Sequence, residues 1–231
     1  MFGECKNLTL VSCSEWMDTF VKSSFLKEKE MTIIKNGVDL TTFKPYFTKI
    51  SNTNRRFRIL AVSSVWSPDK GELDIYKLRT LLAQNDYEIT MVGLSADQLR
   101  SLPVGIIGIQ RTQNVHELAQ LYSTSDVLIN PTYADTFPTV NLESLACGTP
   151  VITYKTGGSP EAIDEKTGIV VEQGDVNGLA EAIMKLKDSP LSAEDCRKRA
   201  EDHFDKNKCF EKYIELYKTT LSDLHSKPTE E

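Results

Sequence analysis

Asp135-Thr-Phe-Pro-Thr-Val-Asn-Leu-Glu143 runs directly into Ser144-Leu-Ala-Cys-Gly-Thr-Pro-Val151, so two carboxylates bracket seven residues. The spacing puts Asp135 in a turn after a short apolar strand and Glu143 one turn into a helix that ends at Gly148. Pro138 fits the first turn of that helix, because its missing N–H would have no intrahelical partner there. The N–H groups near Phe137, Thr139 and Val140, with the helix dipole behind them, form a site for an anion. Glu143 is too close to that point to hold a diphosphate, since like charges repel. A carboxylate there can accept hydrogen bonds from both hydroxyls of a ribose. Asp135 is either a contact to a sugar hydroxyl, a stabiliser of developing positive charge, or a plain loop acid. Glu143 is either a diol clamp or a solvated helix residue.

Working outward, apolar runs at 57–63, 87–92, 104–109, 126–129, 151–154 and 168–171 show little polar alternation, as strands buried on both faces do. Helical patterns at 72–83, 96–101, 115–123, 139–147, 160–164 and 175–188 alternate with them. Val115, Leu118, Ala119 and Tyr122 share one face, as do Leu179, Ile183 and Leu186. This alternation predicts an α/β fold with a doubly wound, Rossmann-like parallel sheet and ligands beyond the carboxyl ends of its strands.

Other segments fall at that edge. Lys70-Gly71 ends the loop after the first main strand, where its ammonium either neutralises phosphate or sits in a surface turn. Trp66 in the same loop either stacks on a ligand or caps the core. Gly157-Gly158-Ser159-Pro160-Glu161 permits close backbone approach, or is simply a tight turn. Gly93 follows the second strand. The Gln110-Arg111-Thr112 turn follows the third, where its backbone could meet a nucleobase and Arg111 is either a contact or an ordinary surface cation.

The ends are organised differently. Residues 8–12 and 31–35 read as strands, and 15–25 as a helix capped by Ser14. Residues 44–54 read as a polar linker. Residues 206–224 form a helix with Phe210, Tyr213, Ile214 and Tyr217 at core-facing spacing, and residues 226–231 read as a frayed tail. The domain limits expected are 1–54, 55–205 and 206–231. A net charge of −6 over 231 residues disfavours nucleic acid or an anionic membrane as the main partner. Five dispersed cysteines without a C-x-x-C pair suit free thiols in a reducing cytoplasm, and three isolated histidines give no metal site. No run is long and apolar enough for a membrane span, and the first residues lack the pattern of a signal peptide.

Taken in order, Asn36-Gly37-Val38-Asp39 with Phe43 and Pro45, Lys70-Gly71, Val92-Gly93, the stretch 118–126, Asp135 to Val151 and Gly157-Gly158-Ser159-Pro160-Glu161 resemble the donor-binding C-terminal half of a GT-B glycosyltransferase of the group 1, family 4 type. The resemblance implies a retaining transferase that takes a sugar from a nucleoside-diphosphate donor, without an obligatory metal or other cofactor. It implies Glu143 at the donor ribose, Asp135 at the sugar, the turn from Phe137 through Thr139 to Val140 at the diphosphate, and Lys70 at phosphate. Gly93 and Arg111 complete the expected donor contacts. Three positions depart from the family pattern: Asp135 where the family has Glu, Pro138 where it usually has Gly, and Val65 where many members carry an Arg. The first ~45 residues resemble only the last strand, helix and crossover of an acceptor-binding domain. The final helix resembles the one that crosses back onto that domain. The expectation is therefore a cytoplasmic enzyme half for polysaccharide or glycan synthesis, peripheral to the inner membrane when complete, whose partner is an N-terminal or separate acceptor domain. The alternatives are a non-catalytic or split-subunit interaction module, and a nucleotide-sugar epimerase, which lacks a base-like histidine here.

Overall fold

The computed structural model describes residue 5, residues 8–46 and residues 55–226, with side chains as far as residue 222. Near the N-terminus, β1 (Thr9–Ser12), α1 (Glu15–Lys22) and β2 (Glu30–Ile33) form a small parallel β-α-β unit. The main sheet contains β3 (Phe57–Val62), β4 (Tyr87–Val92), β5 (Ile106–Ile109), β6 (Val127–Asn130), β7 (Val151–Tyr154) and β8 (Gly168–Val171). All its pairings are parallel, in the order β5-β4-β3-β6-β7-β8. This is the dinucleotide-fold order, reversing direction between β3 and β6.

The strands read as continuous apolar runs because each side of the pleat is covered. Ile59, Ala61, Val127, Ile129, Ile152 and Tyr154 pack with α2 (Glu72–Leu81) and α6 (Val176–Asp188) on one face. Leu60, Leu128 and Val151 pack on the other with α4 (Val115–Thr124), α5 (Thr139–Ala146) and α7 (Ala193–His203). A short α3 (Ala96–Arg100) opens with a full capping box at Ser95 and Gln98. α8 (Lys206–Ser226) closes the described chain.

The N-terminal unit is tied to this sheet by polar contacts. The Glu161 carboxylate accepts the N–H groups of Glu15 at 3.0 Å and Trp16 at 2.9 Å, capping α1 from outside its own segment. Val38 donates its N–H to Phe204 O at 2.7 Å and accepts from Lys206 N–H at 3.2 Å. The Arg197 guanidinium donates to Phe43 O, Ala146 O and Leu40 O, clamping the crossover segment onto the end of α5.

Some elements differ from the sequence reading. α7 carries no broad apolar stripe; only Cys196 and Ala200, four residues apart, are buried on it. α1 stops at Lys22, short of Phe25. β5 starts at Ile106, after a turn in which Ile106 N–H bonds Pro103 O. The segment 160–164 is a 3-10 turn, Ser159–Ala162. The stripe on α8 does not face the core. Beyond buried Cys209, Phe210 is 58% exposed, Ile214 51% and Tyr217 61%, because the helix leaves the sheet after its first turn. The linker expected at 44–54 lies outside the described residues from 47 onward, as does the tail from 227.

Replacing Arg197 by Ala strands three carbonyl oxygens in a half-buried seam. The expected cost is about 2–3 kcal/mol in urea denaturation, against less than about 0.5 kcal/mol for Lys198→Ala on the exposed side of the same helix.

Candidate functional site

At the reversal point the chain leaves β3 toward α2 on one face and leaves β6 toward α5 on the other. Between the departing loops lies a cleft of 270 Å³, lined by Ser63 and Ser64 after β3, Asn130 at the end of β6, and Lys70, Asp135, Thr139 and Val140. Doubly wound sheets bind ligands at this location.

The floor is the N-terminus of α5. Thr139 and Val140, its first two residues, have no helical carbonyl one turn back for their N–H groups. The Asn141 N–H closes onto Pro138 O at 3.2 Å. Pro138 itself is the cap, in an extended conformation. The Phe137 ring is buried against Phe204, and its N–H donates to Asp135 Oδ1 at 3.2 Å in a local side-chain turn. The Lys70 ammonium bonds Asp135 Oδ2 at 2.8 Å and Ala134 O at 3.3 Å. Two residues singled out from sequence for separate duties, Lys70 and Asp135, are thus each other's partners. Val65 is 69% exposed and outside the cleft lining.

Glu143 lies one turn further along α5. Its carboxylate accepts the Tyr122 hydroxyl at 2.8 Å across the α4–α5 contact. Burial pushes the Glu143 carboxyl up from 4.5 to about 7, although the Tyr122 hydrogen bond pulls the other way. Burial, with Glu143 beside it, pushes the Tyr122 hydroxyl well above its ordinary range. Sequence periodicity assigns Tyr122 to the apolar face of α4; the signal for its polar duty is only that the residue is Tyr rather than Phe.

Behind the cleft, the paired glycines have a steric cause. Gly157 has φ +53, and a Cβ on it would run into Asp135 O, while one on Gly158 would run into Thr136 O. The double glycine lets the turn after β7 lie flat against the Asp135 loop, and Gly158 N–H bonds Asp135 O at 3.2 Å. Beneath, Asn130 Nδ2 donates to Asn141 Oδ1 at 2.9 Å, Asn141 Nδ2 donates to Ser159 Oγ at 3.1 Å, and Ser159 Oγ meets Thr153 Oγ1 at 2.6 Å. Asp74, buried on α2, accepts the hydroxyls of Tyr133 at 2.6 Å and Tyr154 at 2.9 Å. Asn36 reaches the site from the N-terminal segment, donating to Phe137 O at 3.4 Å.

Two other residues singled out from sequence are outside the cleft lining. Gly93 lies against the backbone of Ser63, where any side chain would strike the Ser63 carbonyl. Arg111 is exposed after β5, two strands from β3 and outside the cleft lining. Trp66 is buried, with its indole N–H on Val92 O at 2.8 Å, and shows one edge to the cleft.

A family profile described as "Glycosyl transferases group 1" matches residues 56–189, and the chain belongs to that family. It is 30% identical over 187 residues to a D-inositol 3-phosphate glycosyltransferase from Arthrobacter sp. (strain FB24), a match covering 72% of this chain and 44% of the relative. Among solved structures it resembles the sucrose-phosphate synthase of Thermosynechococcus elongatus, with a TM-score of 0.82 at 22% identity over 93% of this chain and 59% of the other. It also resembles Anabaena Alr3699/HepE in complex with UDP-glucose, with a TM-score of 0.73 at 19% identity over 90% of this chain and 63% of the other. These likenesses place the sheet and its helices in the GT-B class of fold. The chain spans about half the length of the curated relatives it matches.

The folded chain holds the Glu143 proton more tightly than the unfolded chain does. Stability contributed by this group is therefore present below about pH 4.5, falls as pH rises to about 7, and stays level above. Glu143→Gln removes that slope. Its melting temperature relative to the unaltered chain is expected to rise by roughly a few degrees between about pH 5 and about pH 8 in scanning calorimetry.

Proposed function

We propose that this chain, as a member of that family, binds a nucleoside-diphosphate sugar in the switch-point cleft and serves as the donor half of a retaining glycosyltransferase in polysaccharide or glycan synthesis. The observation that carries the reading is the convergence on one cleft of the α5 N-terminus and the Lys70 ammonium, with half-buried Glu143 one turn along the same helix. Breaking the sugar–phosphate bond puts negative charge on the departing diphosphate. The Thr139 and Val140 N–H groups and Lys70 meet that charge from fixed positions. For Lys70 to do so, the diphosphate takes over from Asp135 as its partner. Asp135 is then released toward the sugar. Glu143, when ionised, accepts the ribose hydroxyls alongside the Tyr122 hydroxyl.

The acceptor comes, in this reading, from a second domain. Support lies in the shorter span of the chain relative to its relatives and in the exposed apolar residues Trp16, Phe20 and Phe25 near α1 and Phe210, Ile214 and Tyr217 on α8. The same surface favours the second reading, a subunit that completes its cleft with a separate protein. Among the described residues no helix is long and apolar enough to cross a membrane. A cytoplasmic location, at the membrane surface when the cleft is complete, follows from the activity proposed.

Calorimetric titration with UDP, GDP and ADP tests the reading. One of them is expected to bind. Lys70→Ala should weaken that binding about tenfold or more, through loss of a charge-assisted contact. Asp135→Asn should strengthen binding of the bare diphosphate, because it frees Lys70 and removes a like charge. Affinity should rise between about pH 6 and about pH 8 in the unaltered chain by more than in Glu143→Gln, since the ionised carboxylate is the better acceptor. Binding to none of the three, alone or with an acceptor domain supplied, defeats the reading.

A further inference from the structure

The two carboxylate oxygens of Glu143 have different surroundings. Oε2 accepts the Tyr122 hydroxyl at 2.8 Å. Oε1 carries no hydrogen bond among the described residues, where no buried side-chain oxygen lacks a partner, so Oε1 touches solvent. The carboxylate is pinned by one atom and open at the other.

Tyr122 is itself held on several sides. Its side chain is fully buried, and the Phe43 ring meets it edge-on, with centroids 6.1 Å apart and the planes at 70°. Its carbonyl oxygen accepts the Thr149 hydroxyl at 2.7 Å. Thr149 is tied to α5 in turn, by its N–H on Ser144 O and by the Ser144 hydroxyl on its own carbonyl, both at 2.9 Å. Phe43, on the crossover segment, is fixed by its N–H on Asp39 O at 2.8 Å and by the Arg197 guanidinium on its carbonyl at 2.8 Å. Phenylalanine at position 122 would keep the ring contacts. The hydroxyl adds a desolvation cost, and its hydrogen-bond partner among the described residues is Glu143.

The other groups near Glu143 do not share this duty. The Cys147 thiol, one turn on along α5, is pushed up to about 12 mainly by burial and stays uncharged. Arg197, from α7, spends its guanidinium on the carbonyls of Phe43, Ala146 and Leu40 and on the Glu201 carboxylate. The hydrogen bond that favours the charged form of Glu143 comes from α4, through Tyr122.

We propose that Tyr122 is a positioning residue of the site, whose hydroxyl stabilises the Glu143 carboxylate and turns it so that Oε1 is presented to a vicinal diol. The proposal rests on the reading of the neighbouring cleft as a nucleotide site, because the diol is then the ribose.

The test titrates UDP, GDP and ADP into the chain, and with them the deoxyribose counterpart of the one that binds, which lacks one hydroxyl of the diol. The unaltered chain should favour the ribose form about tenfold. Tyr122→Phe should weaken the ribose form about tenfold at about pH 7 and regain most of that loss by about pH 9, because losing the hydroxyl makes Glu143 harder to ionise. The deoxyribose form should be little changed. In a Glu143→Gln background, Tyr122→Phe should alter neither affinity. Equal weakening of both forms at both pH values marks a purely structural role and overturns the proposal, as does an unchanged preference for ribose; the nucleotide reading then stands. If none of the three nucleotides binds, that reading fails separately, and titration of the Glu143 carboxyl carbon by NMR decides for Tyr122. A midpoint at higher pH in Tyr122→Phe than in the unaltered chain upholds its hold on Glu143, and an unchanged midpoint overturns it.

Discussion

Tyr133 donates its N–H to Asp69 O at 2.8 Å, and Thr132 Oγ1 donates to the same oxygen at 3.2 Å. These bonds sew the loop after β3 to the loop after β6, two segments that otherwise diverge toward opposite faces of the sheet. Gly71, with φ +75, is the residue that permits the seam, because a Cβ there would collide with the Pro131 carbonyl. Asp74 anchors its end by gathering the hydroxyls of Tyr133 and Tyr154. The Tyr133 hydroxyl is pushed up to about 12 mainly by that carboxylate, so it stays a donor throughout the neutral range. Without the seam, Lys70 and Asp135 would sit on separate loops with no reason to meet.

Much of this frame was legible in the residues. β4, β7 and β8 occupy the expected spans, because parallel strands covered on both faces must be apolar without interruption and their turns must break that run. The start of α5 was legible from Pro138, and its end from the glycine that follows. Elements held by few side chains were not. α7 buries two small residues and is otherwise charged, so no periodicity marks it. Arg197, which clamps three carbonyls, looks in sequence like any surface cation on such a helix. The apolar stripe on α8 is legible as a stripe, but periodicity reports that a face is apolar, not what covers it.

The site divides in the same way. Asp135, the turn from Phe137 to Val140 and Lys70 line one cleft, since strand ends and helix starts fix them, whereas Glu143 lies outside that lining, against Tyr122. The partners that set their chemistry came from distant sequence. Tyr122 lies on α4 and Glu161 lies beyond β7. Gly157 and Gly158 resemble an ordinary turn in sequence, and only the packed loop reveals that they make room for the Asp135 backbone. Arg111 illustrates the reverse case, a residue at the correct edge of the sheet that lies exposed and outside the cleft lining, while Gly93 stands behind Ser63 rather than in the lining itself.

The chain of Asn130, Asn141, Ser159 and Thr153 joins the ends of β6 and β7 to the first turn of α5 through buried hydrogen bonds. The N–H groups at the mouth of that helix are consequently held in orientation before any anion arrives. A charge entering the cleft meets dipoles that need not turn, so little of its attraction is lost to reorganising its surroundings or to freezing a mobile loop.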